Sequence, residues 1–242
     1  VAWVLEPLHE DTQAAAEDYL RMSAAKVRNC EPPEALIEEI NRTVLIIGGG
    51  KTGMTAALAA AAVGSDVVIV EKEGKLGGWA TKYAQVFPHI APYKELQDGN
   101  VAELVHRVET EPKIKILLST TIKKIDGEPG KFQVELTGAG ESQILSAGSI
   151  IQASGWRPYD ASKLGHLGYG RLPNVVTNVQ VEEMQANGGL LRPTDRRAPQ
   201  SVAFIQCAGS RDQDHLPYCS AVCCRVSLKQ AKYFRAKHPD TK

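Results

Sequence analysis

The stretch from Thr43 to Glu71 constrains this chain more than any other. Thr43-Val-Leu-Ile-Ile47 is a short, branched, apolar run, the pattern of a strand buried on both faces. Gly48-Gly49-Gly50-Lys51-Thr52-Gly53 follows at once, then an Ala-rich helix predicted from Met54 to about Val63 and ended by Gly64. A second branched strand, Asp66 to Val70, closes on Glu71. In this G-x-G-x-x-G, Gly48 permits the tight turn, Gly50 lets backbone approach a pyrophosphate, and Gly53 lets the helix pack close to the sheet. The helix start offers free N–H groups and a positive dipole end to phosphates. Glu71, 23 positions after Gly48, can accept hydrogen bonds from ribose hydroxyls. A glycine turn needed only for packing is the plainer alternative, but strand, helix and acid in their expected places point to a dinucleotide site. Gly50-Lys51-Thr52 also occurs in nucleotide triphosphate loops, yet position 45 is Leu45 where that spacing needs Gly.

A chain of 242 residues, 43% hydrophobic, allows one or two domains with a real core. Its 28 basic residues balance 28 acidic ones, so the broad basic footprint of a nucleic-acid binder is missing. No apolar run approaches the roughly 18 to 20 residues of a membrane span. The chain starts at Val1 without Met or a signal-peptide pattern, which leads us to expect processing or a piece of something longer.

Four regions are expected. Residues 1–42 read as a helical segment, with helices over Ala14 to Lys26 and Glu34 to Ile40, too poor in apolar surface to fold alone. Residues 43–158 read as a Rossmann-like α/β domain with a β-meander at 114–146, built from Ile114–Leu118, Thr121–Ile125, Phe132–Leu136 and Gln143–Ser146, and a helix over Leu96 to Val108. A buried strand, Ser149 to Ala153, then runs into Ser154-Gly155-Trp156. Residues 159–200 read as a connector with one short helix near Val181 to Ala186. Residues 201–242 are expected to be the truncated start of a second Rossmann-like unit, with a strand over Ser201 to Gln206 and a helix over Ser220 to Ala236.

Of five cysteines, Cys30 stands alone and reads as a plain thiol, while Cys207, Cys219, Cys223 and Cys224 crowd one stretch. Cys207 ends the last predicted strand and the other three open its helix, so one loop could gather all four. Four thiolates are what a cubane iron–sulfur cluster needs, and a helix start suits its negative charge. The spacing matches neither ferredoxin nor zinc-finger patterns, and alone it leaves a metal centre and a redox or packing role equally open. An adjacent Cys223–Cys224 disulfide would be strained. His89, His106, His166 and His215 lack ligand-like spacing and read as structural or exposed, and only His215, inside the cysteine loop, is placed for a further role. Arg211 and Lys72 could meet a phosphate, though surface pairing suits both. No acid–base or nucleophilic constellation stands out.

Glu71-Lys72, Gly77-Gly78 and the Ala153-Ser154-Gly155 strand end resemble the two-dinucleotide-binding flavoproteins. Their second glycine fingerprint is replaced here by Cys207-Ala-Gly-Ser-Arg-Asp212. That stretch, from Phe204, with Pro217-Tyr-Cys-Ser220 and Val222-Cys-Cys224, resembles the heterodisulfide reductase A-subunit family over nearly the whole chain. Glu10-Asp-Thr-Gln13, Ala16 to Met22, Gly155 to Asp160 and Lys163 to Gly170 further resemble the B-subunit family of quinone-interacting membrane-bound oxidoreductases (QmoB). The resemblance implies FAD held by Gly48, Gly49, Gly50, Thr52, Gly53, Glu71, Lys72, Gly77, Gly78, Trp79, Ile122, Ala153, Ser154 and Gly155. It likewise implies a 4Fe-4S cluster on Cys207, Cys219, Cys223 and Cys224. It implies an electron-transfer subunit without a complete catalytic centre in this stretch. The subunit would sit in the cytoplasm, peripheral to the inner membrane, in a complex with a membrane subunit that links menaquinone to adenylylsulfate reductase. One departure stands: heterodisulfide reductase A subunits carry a cysteine motif after Phe-Pro and a ferredoxin insert. Here Phe87-Pro88 is followed by His89-Ile-Ala-Pro-Tyr93, with neither. An FAD/NAD(P)H-dependent disulfide reductase using Cys223, and a cofactor-less scaffold, are the alternatives.

Overall fold

The computed structural model describes residues 6, 8–31, 40–88, 91–138 and 141–242. The chain divides into two compact units, Val1–Glu39 and Ile40–Lys242. In the first, α1 spans Glu10–Asn29, longer than expected at both ends. His9 caps it, its ring nitrogen accepting from the Asp11 N–H, while Glu10 and Asp11 favour the N-terminal dipole end. None of its residues is buried. The helix expected over Glu34 to Ile40 falls almost wholly outside the described residues, as does His89.

The second unit begins with the predicted strand–turn–helix–strand. Strand β1 (Val44–Ile47) enters the glycine turn, α2 runs Lys51–Ala62, and β2 (Val67–Val70) follows. Helix α2 starts three residues earlier than its Ala-rich pattern suggested, so Thr52 and Gly53 lie in its first turn. Helix α3 (Val101–Thr110) leads into β3 (Ile114–Leu117). Its start is later than Leu96, because Gln97 pairs with Val86 in an antiparallel bridge and Asn100 turns left-handed at the cap. The meander comprises β4 (Thr120–Asp126), β5 (Phe132–Gly138) and β6 (Glu141–Ala147), after which β7 (Ser149–Gln152) returns.

The parallel sheet has the order β3-β2-β1-β7, and β4-β5-β6 form a separate antiparallel sheet. This corrects the expectation that the meander starts at residue 114. Ile114–Leu117 pair in parallel with Val67–Val70, because both of that strand's faces meet apolar neighbours and its other edge is taken by β1. The side chains alternate accordingly. Ile46, Val67 and Ile69 pack with Met54, Ala57 and Val108 of the helical layer. Leu45, Val68 and Val70 pack with Val134, Leu136 and Ala147 of the meander. Three layers result, with β1 at the point where strand order reverses, the position at which open α/β sheets bind ligands.

Beyond β7 the chain runs through single 3-10 turns to α4 (Asn178–Ala186) and finally α5 (Cys223–Lys237). The strand expected at Ser201–Gln206 belongs to no ladder. A strand needs a hydrogen-bonded neighbour, and the contacts here are single ones: Val202 N–H to Lys242 O, and Lys242 N–H to Gln200 O. Val202 and Phe204 instead pack, with α4 and α5, around Val181, Leu190, Tyr233 and Phe234.

Candidate functional site: a glycine cradle and a cysteine loop

Three loops converge beyond the C-terminal ends of the parallel strands. Gly48 adopts φ 109°, and a Cβ there would lie 2.4 Å from Ala153 O, so the turn after β1 rests against the chain leaving β7. Gly77 N–H donates to Gly49 O at 2.8 Å, and a Cβ on Gly78 would lie 3.3 Å from Gly50 Cα. The helix start closes the turn: a Cβ on Gly53 would lie 1.8 Å from Gly48 O. Against these tight approaches, a Cβ on Gly50 or on Gly155 would meet nothing within 4 Å. The cradle is thus packed behind and open in front. The first amides of α2 have no intrahelical acceptor, and they and the open face of Gly50 suit a phosphate group.

Glu71 is buried at 6% exposure and fixed by the backbone. Its Oε2 accepts from Gly49 N–H at 2.6 Å and its Oε1 from Glu73 N–H at 2.9 Å. Each oxygen keeps a further lone pair for a ribose hydroxyl. Trp79 stacks on Trp156 with ring centroids 5.5 Å apart and planes at 16°, tying the loop at 77–79 to the chain after Gly155, with Lys82 Nζ 4.3 Å above Trp79. Sequence reasoning named Trp79 but missed Trp156, which follows the Ala-Ser-Gly segment directly.

Gly48, Gly49, Gly50, Gly53, Glu71, Gly77, Gly78, Ala153 and Ser154 are therefore brought together by direct contacts. Thr52 is exposed on the first turn of α2. Two others stand apart. Lys72 pairs with Glu73 at 3.5 Å, both exposed, which is the surface use weighed for it. Ile122 packs its partly buried side chain on the core beneath the meander, and pairs with Leu136 across the sheet.

The cysteine loop is built differently. All five cysteines are free thiols, so Cys223 and Cys224 form no disulfide. The Ser220 hydroxyl hydrogen bond, then the Cys207 backbone and Cys224, hold the Cys223 thiol below its ordinary range, against the effect of burial. Cys224 is pushed up, first by the charge on Cys223 and also by Cys207 and Cys219. Cys219 Sγ accepts from Ala221 N–H at 3.3 Å. The four sulfurs thus share one electrostatic neighbourhood. Yet among the described residues no group of three or more His, Cys, Asp or Glu is arranged to hold a metal ion. The four expected ligands have the chemistry a cluster needs and stand here as separate thiols. Cys207, Arg211 and Ala221 are left-handed at φ 55°, 56° and 57°, a concentration of strained non-glycine residues of the kind found at functional loops. His106 and His166 are exposed, as expected. His215 is not: its Nδ1 lies 2.7 Å from the Tyr159 hydroxyl.

Behind the loop lies a buried polar network that sequence reasoning missed. Glu182 Oε1 meets Lys229 Nζ at 3.0 Å and Gln230 Nε2 at 2.9 Å, and Tyr233 OH lies 3.3 Å from Glu182 Oε2. Lys229 Nζ also donates to Gln85 O at 2.8 Å, joining α5 to the segment before α3.

The profile of a family described as FAD dependent oxidoreductase matches residues 43–167, just over half of the chain. The chain belongs to that family. Its homologues include the A subunit of the ferredoxin/F420H2-dependent CoB-CoM heterodisulfide reductase of Methanosarcina acetivorans, 28% identical over 321 residues, covering 96% of this chain and 40% of that protein. The A subunit of the H2:CoB-CoM heterodisulfide,ferredoxin reductase of Methanothermobacter marburgensis is 27% identical over 322 residues, covering 99% and 48%. The chain therefore spans less than half the length of these relatives. The alignments are also longer than the chain, so the relatives carry sequence with no counterpart here. A thioredoxin reductase structure from T. acidophilum aligns over 48% of the chain and 36% of that protein at 24% identity with a TM-score of 0.38, too distant to add to what the strand order shows. As an oxidoreductase of this family the chain is a flavoprotein, and FAD is the cofactor the family implies. Among the described residues no helix is long and apolar enough to cross a membrane.

Proposed function

We propose that this chain is the flavin-binding part of an electron-transfer subunit, with FAD lying across the loops at 48–53, 77–79 and 153–155. The carrying observation is the cradle's asymmetry: glycines closed against backbone on one side and open at Gly50 and Gly155 on the other. The N–H groups at the start of α2 would bind the pyrophosphate. Glu71, locked by two backbone amides, would orient the ribose. Trp79 and Trp156 would wall the cradle and exclude water. Ile122 would contribute its backbone, and Lys72 at most a distant positive charge. Cys207, Cys219, Cys223 and Cys224 would ligate a 4Fe-4S cluster, for which four soft thiols are the fitting donor set. When bound, FAD supplies electron-pair chemistry and the cluster single-electron transfer.

Residues 10–13, 16–22, 155–160 and 163–170 support a finer reading as the B subunit of a quinone-interacting membrane-bound oxidoreductase. In that setting the partners are adenylylsulfate reductase and a membrane subunit, with electrons exchanged with menaquinone in dissimilatory sulfur metabolism at the cytoplasmic face of the inner membrane. The heterodisulfide reductase homologues, named for CoB-CoM heterodisulfide and ferredoxin, support the coarser electron-transfer role.

Anaerobic purification of the full-length protein tests the reading. Flavin absorbance with iron and sulfide is expected, and Cys219→Ser should lose iron while keeping flavin. Flavin without iron, bleached by NADPH, would instead favour disulfide reductase chemistry, a reading that the lowered Cys223 thiol supports. A colourless full-length protein would leave only a scaffold.

A further inference from the structure

Tyr159 lies six residues beyond Ala153 on the chain leaving the cradle, and it touches the cysteine loop twice. Its ring lies against Gly209, where a Cβ would come within 2.5 Å of Tyr159 Cδ1 and 2.7 Å of Cε1. Gly209 is buried and left-handed, at φ 77°. The Tyr159 hydroxyl reaches His215 Nδ1 at 2.7 Å, the two rings edge to face at 83°. Gly209 and His215 lie on opposite sides of one neck: Leu216 N–H donates to Gly209 O, and Ser210 bridges to Leu216. A single side chain therefore holds both sides. Cys207 stands two residues before Gly209, and Cys219 four residues after His215. Any shift of the neck is passed to both cysteines.

We propose that Tyr159 is a positioning residue that docks the neck of the four-cysteine loop onto the chain leaving the FAD cradle, and so sets how far the thiols stand from that cradle. The proposal rests on the flavin and cluster reading above for its purpose, though not for its geometry. An apolar seat on Gly209 would serve folding alone. The hydroxyl–imidazole bond adds direction, fixing the returning side of the loop relative to the entering side. Electron tunnelling falls steeply with separation, so a loosely docked loop would exchange electrons with the flavin more slowly.

The test uses anaerobically purified full-length protein with FAD and iron counted. Tyr159→Phe keeps the ring and its seat on Gly209 and loses only the bond to His215. Hydrogen exchange at Ser210, Arg211, Asp212 and Leu216, whose amides bond within the loop, should speed up about threefold to tenfold, the worth of one net hydrogen bond, while β1 and α2 amides stay unchanged. Adding His215→Leu should change little more, because the shared bond is already gone. Flavin-to-cluster electron transfer should slow at unchanged FAD and iron content. Wild-type exchange rates in Tyr159→Phe, or additive effects of the two substitutions, overturn the proposal. A wild-type protein without iron would overturn the cluster reading, and the exchange rates would still decide whether Tyr159 docks the loop.

Discussion

The glycine cradle and the cysteine loop are both short links from extended chain into a helix, and they are held in opposite ways. The cradle is fixed by backbone: a ladder on each side of β1, Gly48 against Ala153, Gly53 against Gly48, and a carboxylate gripping two amides. The cysteine loop follows a segment with no ladder and contains three left-handed non-glycine residues. Its place is set by groups that arrive from far along the chain: the Tyr159 and Glu182 side chains, and the Gln85 carbonyl that accepts from the Lys229 side chain. A backbone-built site is tolerant of what its side chains do. A side-chain-built site fails when one buried partner is lost.

The largest expected effect falls in the second region. Lys229 and Glu182 are 4% and 0% exposed, and Lys229→Met leaves a carboxylate buried without its cation. Breaking one side of such a pair costs about 3–5 kcal/mol. Replacing both, as Lys229→Met with Glu182→Leu, should recover most of it. Urea denaturation of the single and double variants measures this, and equal losses in both would mean that packing, not pairing, holds α5.

Next comes a contrast within the cradle. Gly53→Ala places a methyl 1.8 Å from Gly48 O and should cost about 3 kcal/mol with loss of flavin. Gly50→Ala meets no protein atom within 4 Å, so its unfolding midpoint should match the parent while FAD affinity falls about tenfold or more, each tenfold being ~1.4 kcal/mol. Equal affinity for FAD in the Gly50 variant would remove the open face as the ligand side.

How much was legible follows the same division. Thr43 to Glu71 was read nearly whole, because its signals are local: branched strands, glycines at set offsets, an acid at the strand end. Ile114–Leu117 was legible as a strand but not as a neighbour of β2, since a four-residue apolar run does not state its partner. Leu96 shares the helical period of Leu104, yet the bridge from Gln97 to Val86 and the left-handed Asn100 delay the helix, and neither is written in hydrophobicity. Lys229 and Gln230 carry no local signal of burial, and their partner Glu182 lies 47 residues before Lys229, beyond the reach of any local pattern.

Alkaline pH should act on the second region through two phenols. Burial first, then Glu182, raises the Tyr83 and Tyr233 hydroxyls above their ordinary value of 10.0. The folded state then holds these protons more tightly than the unfolded chain. The stabilisation is fully present below pH 10 and is lost as pH climbs from 10 toward the raised values. Thermal denaturation from pH 8 to 11 should show the decline, and Tyr233→Phe should flatten it. An unchanged slope in that variant would assign the decline to other groups.

The smallest effect tests whether the two regions unfold as one. Thr177 caps α4 in a reciprocal box: its hydroxyl accepts from Gln180 N–H at 3.2 Å, and Gln180 Oε1 accepts from Thr177 N–H at 2.8 Å. The box fixes the start of the helix that carries Glu182 into the buried network. Thr177→Ala should cost about 1 kcal/mol, and Thr177→Ser should restore most of it, since Ser caps as well as Thr does. If side chains hold the cysteine region separately, hydrogen exchange should quicken about fivefold in α4 and α5 and not in β1 to β3, the rate scaling with the free energy of local opening. Equal acceleration in the parallel sheet would mean that Ile40–Lys242 opens as one cooperative body, and that the backbone-built cradle draws its stability from the same side-chain network that positions the cysteines.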